Sequence, residues 1–159
     1  MFRGITSINI DAKGRIAVPK RYREALMLGR KQEEASQNNY HVVVTIDTES
    51  PCLLLYPAIE WDVIEAKLQG LPSFNPAARR IQRLLIGHAT ELELDASGRL
   101  LIPPVLREYA NIDKKLMLVG QGKKFEIWDE NTWNNLRKQW LTETSQADAL
   151  PADLQDLSL

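Results

Sequence analysis

Two stretches of the chain set an aspartate four residues before an arginine with a glycine between them. These are Asp11, Gly14 and Arg15 in "DAKGR", and Asp95, Gly98 and Arg99 in "DASGR". The chemistry open to such a group is the binding of anions. Arginine neutralises phosphates, releases their counterions, and can read guanine O6 and N7 with two bonds. Asp11 would repel phosphate, so its role is to orient Arg15 or to brace the turn. Lys13 adds a second cation to the first group, where the second has Ser97. Arg3 flanks the same strand pair as a further backbone contact.

Catalysis is poorly supplied. The two histidines, His41 and His88, are far apart in non-equivalent contexts, and the single cysteine, Cys52, follows a proline at the head of an apolar run. That setting suits a buried small hydrophobe. No metal-ligand spacing appears, and "LVGQGKK" joins two strands instead of opening a helix as a phosphate loop would. We therefore expect no catalytic residue, no metal and no cofactor: the chain is not read as an enzyme.

The elements around these groups repeat with them. "DAKGRIAVPKRYRE" (11–24) and "DASGRLLIPPVLRE" (95–108) share seven of fourteen positions at a separation of 84 residues. Alternating apolar residues precede each phrase, Ile8 and Ile10 in one and Leu92 and Leu94 in the other, the period of a half-buried strand. The glycine supplies the tight turn and the aspartate bonds its own backbone. "RIAVP" and "RLLIP" return as second strands, so each half is expected to open with a hairpin-like strand–turn–strand. Pro19 and the Pro103–Pro104 pair then suit a first helical turn, with Tyr22, Leu26, Leu106 and Tyr109 facing inward.

Each half closes with two more strands and an amphipathic helix: "YHVVVTID", "PCLLLYP" and "AIEWDVIEAKL", then "KLMLVGQ", "KFEIWD" and "ENTWNNLRKQWL". Here the offset is 72, placing Trp61 on Trp133. A polar insertion around 29–39, read as a mobile loop, makes up the difference. Trp61, Trp133 and Trp140 have the spacing of packing residues. Asn75–Pro76 starts a connecting helix with Arg79, Arg80 and Arg83 on one face. Copies of about 50 residues are individually marginal, so they should pack on one another about a pseudo-two-fold axis.

Composition agrees with a globular chain: 159 residues, 44% hydrophobic, net charge −1. The charge is unevenly spread. Residues 1–30 hold seven basic and two acidic side chains, and residues 142–159 hold four acidic and no basic ones. A basic head suits a polyanion. No apolar run reaches the ~20 residues of a membrane span. One cysteine fits a reducing compartment, and the start "MFRGITSINI" lacks the build of a signal peptide. A soluble cytoplasmic protein with no membrane partner is expected.

The doubled phrase, "RRIQRLLIGHA" between the copies, "KFEIWDE" near the end and the opening "MFRG" together resemble the SpoVT-AbrB superfamily, and within it the tandem-repeat MraZ family of bacterial transcriptional regulators. The resemblance covers nearly the whole chain. It implies an α+β fold of two tandem swapped-hairpin repeats packed as a pseudo-symmetric unit with short flanking helices. The repeats would span 1–70 (core motif 5–55) and 88–141 (core motif 88–131), with a linking helix at 71–87 and an acidic flexible tail at 142–159. It further implies a nucleoid-associated homo-oligomer, a ring, that presents its hairpin loops to short promoter repeats in double-stranded DNA at the division and cell-wall gene cluster. The DNA-binding residues would be Arg3, Lys13, Arg15 and Arg99, with Asp11, Gly14, Asp95 and Gly98 supporting the turns. The competing function is a protein-interaction module of antitoxin type in the same superfamily, whose acidic tail engages a partner.

Overall fold

An aspartate and a glycine at fixed spacing make a turn, but they do not choose which strand the flanking residues pair with. The computed structural model, which describes residues 1–27 and 42–143 together with Leu154 and Leu157, shows the choice. Strand β1 (Ile5–Asn9) runs into the first turn and β2 (Arg15–Ala17) leaves it; helix α1 (Lys20–Met27) follows. Then come β3 (Val42–Ile46), β4 (Leu53–Pro57), α2 (Ala58–Gln69) and the connecting helix α3 (Pro76–His88). The second repeat supplies β5 (Thr90–Leu92), β6 (Arg99–Leu101), α4 (Pro104–Tyr109), β7 (Lys115–Gly120), β8 (Phe125–Asp129) and α5 (Glu130–Glu143). The stretch 29–39, His41 and most of 142–159 lie outside the described residues; α5 continues past Leu141 to Glu143.

The self-contained hairpin expected at the head of each half is corrected by the pairing. β1 and β2 touch as a ladder only at the Ile10–Ile16 bridge, closed by the Asp11 N–H donating to the Arg15 carbonyl. Beyond it the strands part. β1 pairs along its whole length with β7 of the other repeat, Ile8 opposite Leu116. β5 pairs with β3 of the first. The result is one antiparallel six-stranded sheet in the order β1-β7-β8-β4-β3-β5, with each repeat's first strand on the edge of the other's sheet. β2 and β6 form a separate two-stranded ribbon, Ile16 opposite Leu100. The exchange is what the swapped-hairpin resemblance implied, and the fold is α+β.

Burial explains the exchange. Ile16, Val18, Leu100 and Ile102 on the ribbon are wholly buried over one face of the sheet, with Leu26 of α1 and Leu106 of α4 beside them. Neither repeat could cover that face alone. On the other face α2 and α3 close over Val43, Leu54 and Tyr56, while α5 closes over Val119 and Trp128. β3 and β4, covered on both faces, therefore read as the unbroken apolar runs "VVVTI" and "LLLYP". Tyr22 and Tyr109 face inward, half-buried against the main core. Asn75 caps α3 by accepting from the N–H groups of Ala77 and Ala78, with Pro76 in its first turn. Arg79, Arg80 and Arg83 stand exposed.

Candidate nucleic-acid interface

The two turns are built alike. Asp11 Oδ1 accepts from the backbone N–H of Lys13 and of Arg15, both at 2.9 Å, and its Oδ2 accepts from Arg15 Nε at 2.8 Å. Asp95 repeats the set with the N–H groups of Ser97 and Arg99 at 2.9 Å and Arg99 Nε at 3.0 Å. One carboxylate thus folds the turn and fixes its arginine. The Arg15 N–H, and then its side chain and the Lys13 N–H, hold the Asp11 carboxyl below the usual aspartate range against a smaller opposing effect of desolvation. The Arg99 and Ser97 N–H groups do the same for Asp95. Both carboxylates are charged at neutral pH, so they screen their arginines as well as aim them. Arg15 and Arg99 retain 30% and 37% of their side-chain surface.

Position on the ribbon decides where these arginines look. In an antiparallel pair, directly opposed residues point to the same face. Arg15 opposes Leu101, and Arg99 opposes Ala17. Ile16 and Leu100 point into the core, so these four point outward. Arg15 and Arg99 are diagonal neighbours, roughly 8 Å apart. They share one exposed, pseudo-symmetric face with Ala17 and with Leu101, which is 54% exposed. Lys13 stands exposed at the tip of the first turn and Ser97 at the tip of the second. Arg3 does not join them. It precedes β1 at the end away from the turn, where Phe2 bridges Gly122 and the Arg3 carbonyl accepts from Tyr22 Oη. Extended chain from Arg3 to Asp11 covers ~25 Å.

Lys20, Arg21 and Arg23 form a charge run along α1 of the kind that ordinarily makes a solvated face, and the structure gives Arg21 and Arg23 partners. Arg23 Nε donates to the Val18 carbonyl, and the Val18 N–H donates to the carbonyl of Gly98. Arg107 repeats this on Ile102, whose N–H donates to Gly14. Each arginine therefore lies over the turn of the opposite repeat. Both glycines are buried at positive φ, +85° and +73°, and a Cβ on Gly98 would fall 2.1 Å from Arg23 Nε. Arg21 bonds Thr6 Oγ1 and lies over the Tyr22 ring. Because α1 reaches the second turn through Arg23, its cations do not gather at the first turn. The signal for Arg23 and Arg107 lay in the repeat. They are identical at equivalent positions, while Lys20 and Arg21 are replaced by Pro104 and Val105.

Among the described residues one group of potential metal ligands converges that the sequence did not show: Asp47, Cys52 and Glu126, with ligand atoms within 4.8 Å of one another. Each is engaged in the fold. Asp47 Oδ1 accepts from the N–H groups of Glu49 and Ser50, and Glu126 Oε2 from Trp128 Nε1. Burial, with the nearby carboxylates, drives the Cys52 thiol far above its ordinary pKa. Cys52 is the buried small hydrophobe its sequence setting indicated. Trp61 and Trp133 pack as expected, and Trp140 is 39% exposed. Among the described residues no helix is long and apolar enough to cross a membrane.

Comparison with known proteins supplies the remaining facts. A family model for MraZ proteins, whose description likens them to antitoxins, matches the chain twice, over residues 1–84 and 85–155. A protein of Coxiella burnetii is 57% identical over 160 residues, covering all of both chains, and is named transcriptional regulator MraZ. Proteins of Legionella pneumophila and Alkalilimnicola ehrlichii with the same name are 54% and 55% identical, again over the full length of each.

Proposed function

The chain belongs to the MraZ family, and from that premise we propose that it is a transcriptional regulator that binds specific double-stranded DNA through the outward face of the β2–β6 ribbon. The observation that carries this is the pair Arg15 and Arg99, each held at Nε by its own turn aspartate on one exposed pseudo-symmetric face. The B-DNA major groove admits a two-stranded ribbon, and a guanidinium aimed at a guanine is worth roughly 1–3 kcal/mol of discrimination. Lys13 adds affinity through phosphate at the first turn. Arg3, remote from the turns, could reach only backbone flanking the groove.

A single unit offers few cations. We take the protein to act as a homo-oligomer, a ring, whose copies engage successive short promoter repeats at the division and cell-wall gene cluster. Repetition multiplies weak contacts by raising effective concentration. Val105, 58% exposed on α4 beside Pro104, suits a contact between copies. The protein is a binding protein and not an enzyme. Selection of duplexes from a random pool, followed by footprinting of the winner, tests this. A protected run of repeats that disappears with Arg15→Ala plus Arg99→Ala is expected, and a pool that never enriches refutes it.

An antitoxin-like interaction module is the second candidate, favoured by the family description and by the acidic residues of 142–159. Capture of one stoichiometric protein partner that depends on those residues, with no duplex selected, would establish it instead.

A further inference from the structure

The turn between β3 and β4 gathers three groups that the pseudo-symmetry does not call for. Asp47 and Cys52 stand opposite each other there, the Asp47 N–H donating to the Cys52 carbonyl. Opposed residues of an antiparallel pair share a face. On its other side β4 pairs with β8, Leu54 opposite Glu126. Cys52 precedes Leu54 by two residues, so it shares the face of Glu126 as well. Sheet register therefore brings a thiol and two carboxylates together, one ligand atom of each lying within 4.8 Å of the others. At the 72-residue offset Cys52 falls on Lys124, and Glu126 on Leu54. The other repeat builds the same strands without these groups, so the fold does not demand them.

The thiol is the unusual member. Cys52 is wholly buried, and among the described residues its Sγ has no hydrogen-bond partner. It faces both carboxylates and bonds neither. Each carboxylate is fixed through one oxygen. Asp47 Oδ1 accepts from the N–H groups of Glu49 and Ser50 at 2.7 and 3.1 Å, and Glu126 Oε2 from Trp128 Nε1 at 2.9 Å. The other oxygen of each is left for a ligand, and outer hydrogen bonds of this kind are what orient metal ligands. Tyr109 Oη donates to the Asp47 and Ser50 carbonyls and so holds the turn itself.

The donor set selects the ion. A thiolate beside carboxylates suits Zn²⁺, whereas Mg²⁺ and Ca²⁺ take oxygen. Zn²⁺ binds sulfur at ~2.3 Å and carboxylate oxygen at ~2.1 Å, so tetrahedral ligands end ~3.5 Å apart. Closing the set by ~1 Å needs only side-chain rotation at Asp47 and Glu126, and both are half-buried, open to entry from solvent. Lys124 opposes part of the charge that the thiolate and the carboxylates would bring together, and a dication balances what remains.

We propose that Asp47, Cys52 and Glu126 form a Zn²⁺ site, three protein ligands with a fourth position open to water. Asp47 and Cys52 belong to the first repeat and Glu126 to the second, so the ion ties the two repeats together.

Titration of the untagged full-length chain with Co²⁺, a spectroscopic substitute for Zn²⁺, tests this. A thiolate-to-cobalt charge-transfer band is expected, saturating at one ion per chain and bleached by Zn²⁺. Cys52 is the single cysteine, so the band reports this site alone. Asp47→Asn and Glu126→Gln preserve size and an accepting oxygen, and each should weaken Co²⁺ binding about tenfold or more. Zn²⁺ should also raise the urea midpoint of the parent and leave that of Cys52→Ser unmoved. No band in the native chain overturns the site. A band that both carboxylate variants leave unchanged overturns the ligand set, and one that appears only in urea overturns it as well, since the thiol then binds in the opened chain. None of these outcomes depends on DNA binding.

Discussion

Replacing Gly98 by alanine should show whether the two repeats are clamped by arginine. At φ +73° an alanine costs roughly 1–2 kcal/mol in the left-handed region. Its Cβ would also lie 2.1–2.6 Å from Nε, Cζ and Cδ of Arg23. The side chain must swing away and release the Val18 carbonyl, a bond from a charged donor worth about 1.5 kcal/mol at the low end. The sum is about 3 kcal/mol. With a urea slope of about 2 kcal/mol per molar, the midpoint falls by about 1.5 M at unchanged slope. Gly14→Ala should cost about 1 kcal/mol less, because Arg107 stands 2.7–3.0 Å from its Cβ and needs a smaller shift. The cycle with Arg23→Ala isolates the clash. In that background Gly98→Ala should cost only the backbone part, leaving a coupling of about 1.5 kcal/mol. Urea titrations at one fixed protein concentration measure all four chains. A neutral Gly98→Ala, or strict additivity with Arg23→Ala, would refute the clamp.

The turn carboxylates make stability acid-sensitive. Asp11 and Asp95 have folded values below 3.8, so their contribution is complete above that value and is lost as pH falls through the lowered ones. Urea midpoints should drop on this acid limb, and Asp11→Asn with Asp95→Asn should flatten it; an equally steep limb in that variant argues against the assignment. Cys52 should resist thiol reagents at pH 8 in the native chain and react fully in denaturant, since burial keeps it protonated; rapid native labelling would mean that this end of β4 opens. Ser97→Lys should raise duplex affinity and steepen its salt dependence by about one unit per added phosphate contact, and no change in slope would place the second turn away from DNA.

Much of this architecture is written in the chain. The doubled Asp-x-x-Gly-Arg gave both turns and both arginines, because a turn is local and its chemistry sits within five residues. The 72-residue offset brought Trp61 onto Trp133 on equivalent helices. Pairing was less legible. Ile8 and Ile10 alternate as a strand must, but alternation does not name the partner, and β1 joins a strand more than a hundred residues away. Arg23 looked like a solvated charge because a helical run alone does not show what its face meets. The convergence of Asp47, Cys52 and Glu126 depends on the β3–β4 turn meeting β8, a strand far along the chain, which no spacing encodes.

The ribbon face as the DNA-reading surface is most directly tested by equilibrium affinity for the selected duplex with Arg15→Ala, Arg99→Ala and, as control, the exposed α3 variant Arg79→Ala. Each ribbon variant should lose about tenfold or more, the equivalent of about 1.4 kcal/mol, with flattened preference among base substitutions in the site. Arg15→Ala should be the worse of the two, since Lys13 stands on its turn where Ser97 stands on the other. Arg79→Ala should bind as the parent does. If both ribbon variants fold and assemble normally and hold the duplex as tightly as the parent, the DNA is read somewhere else on the molecule.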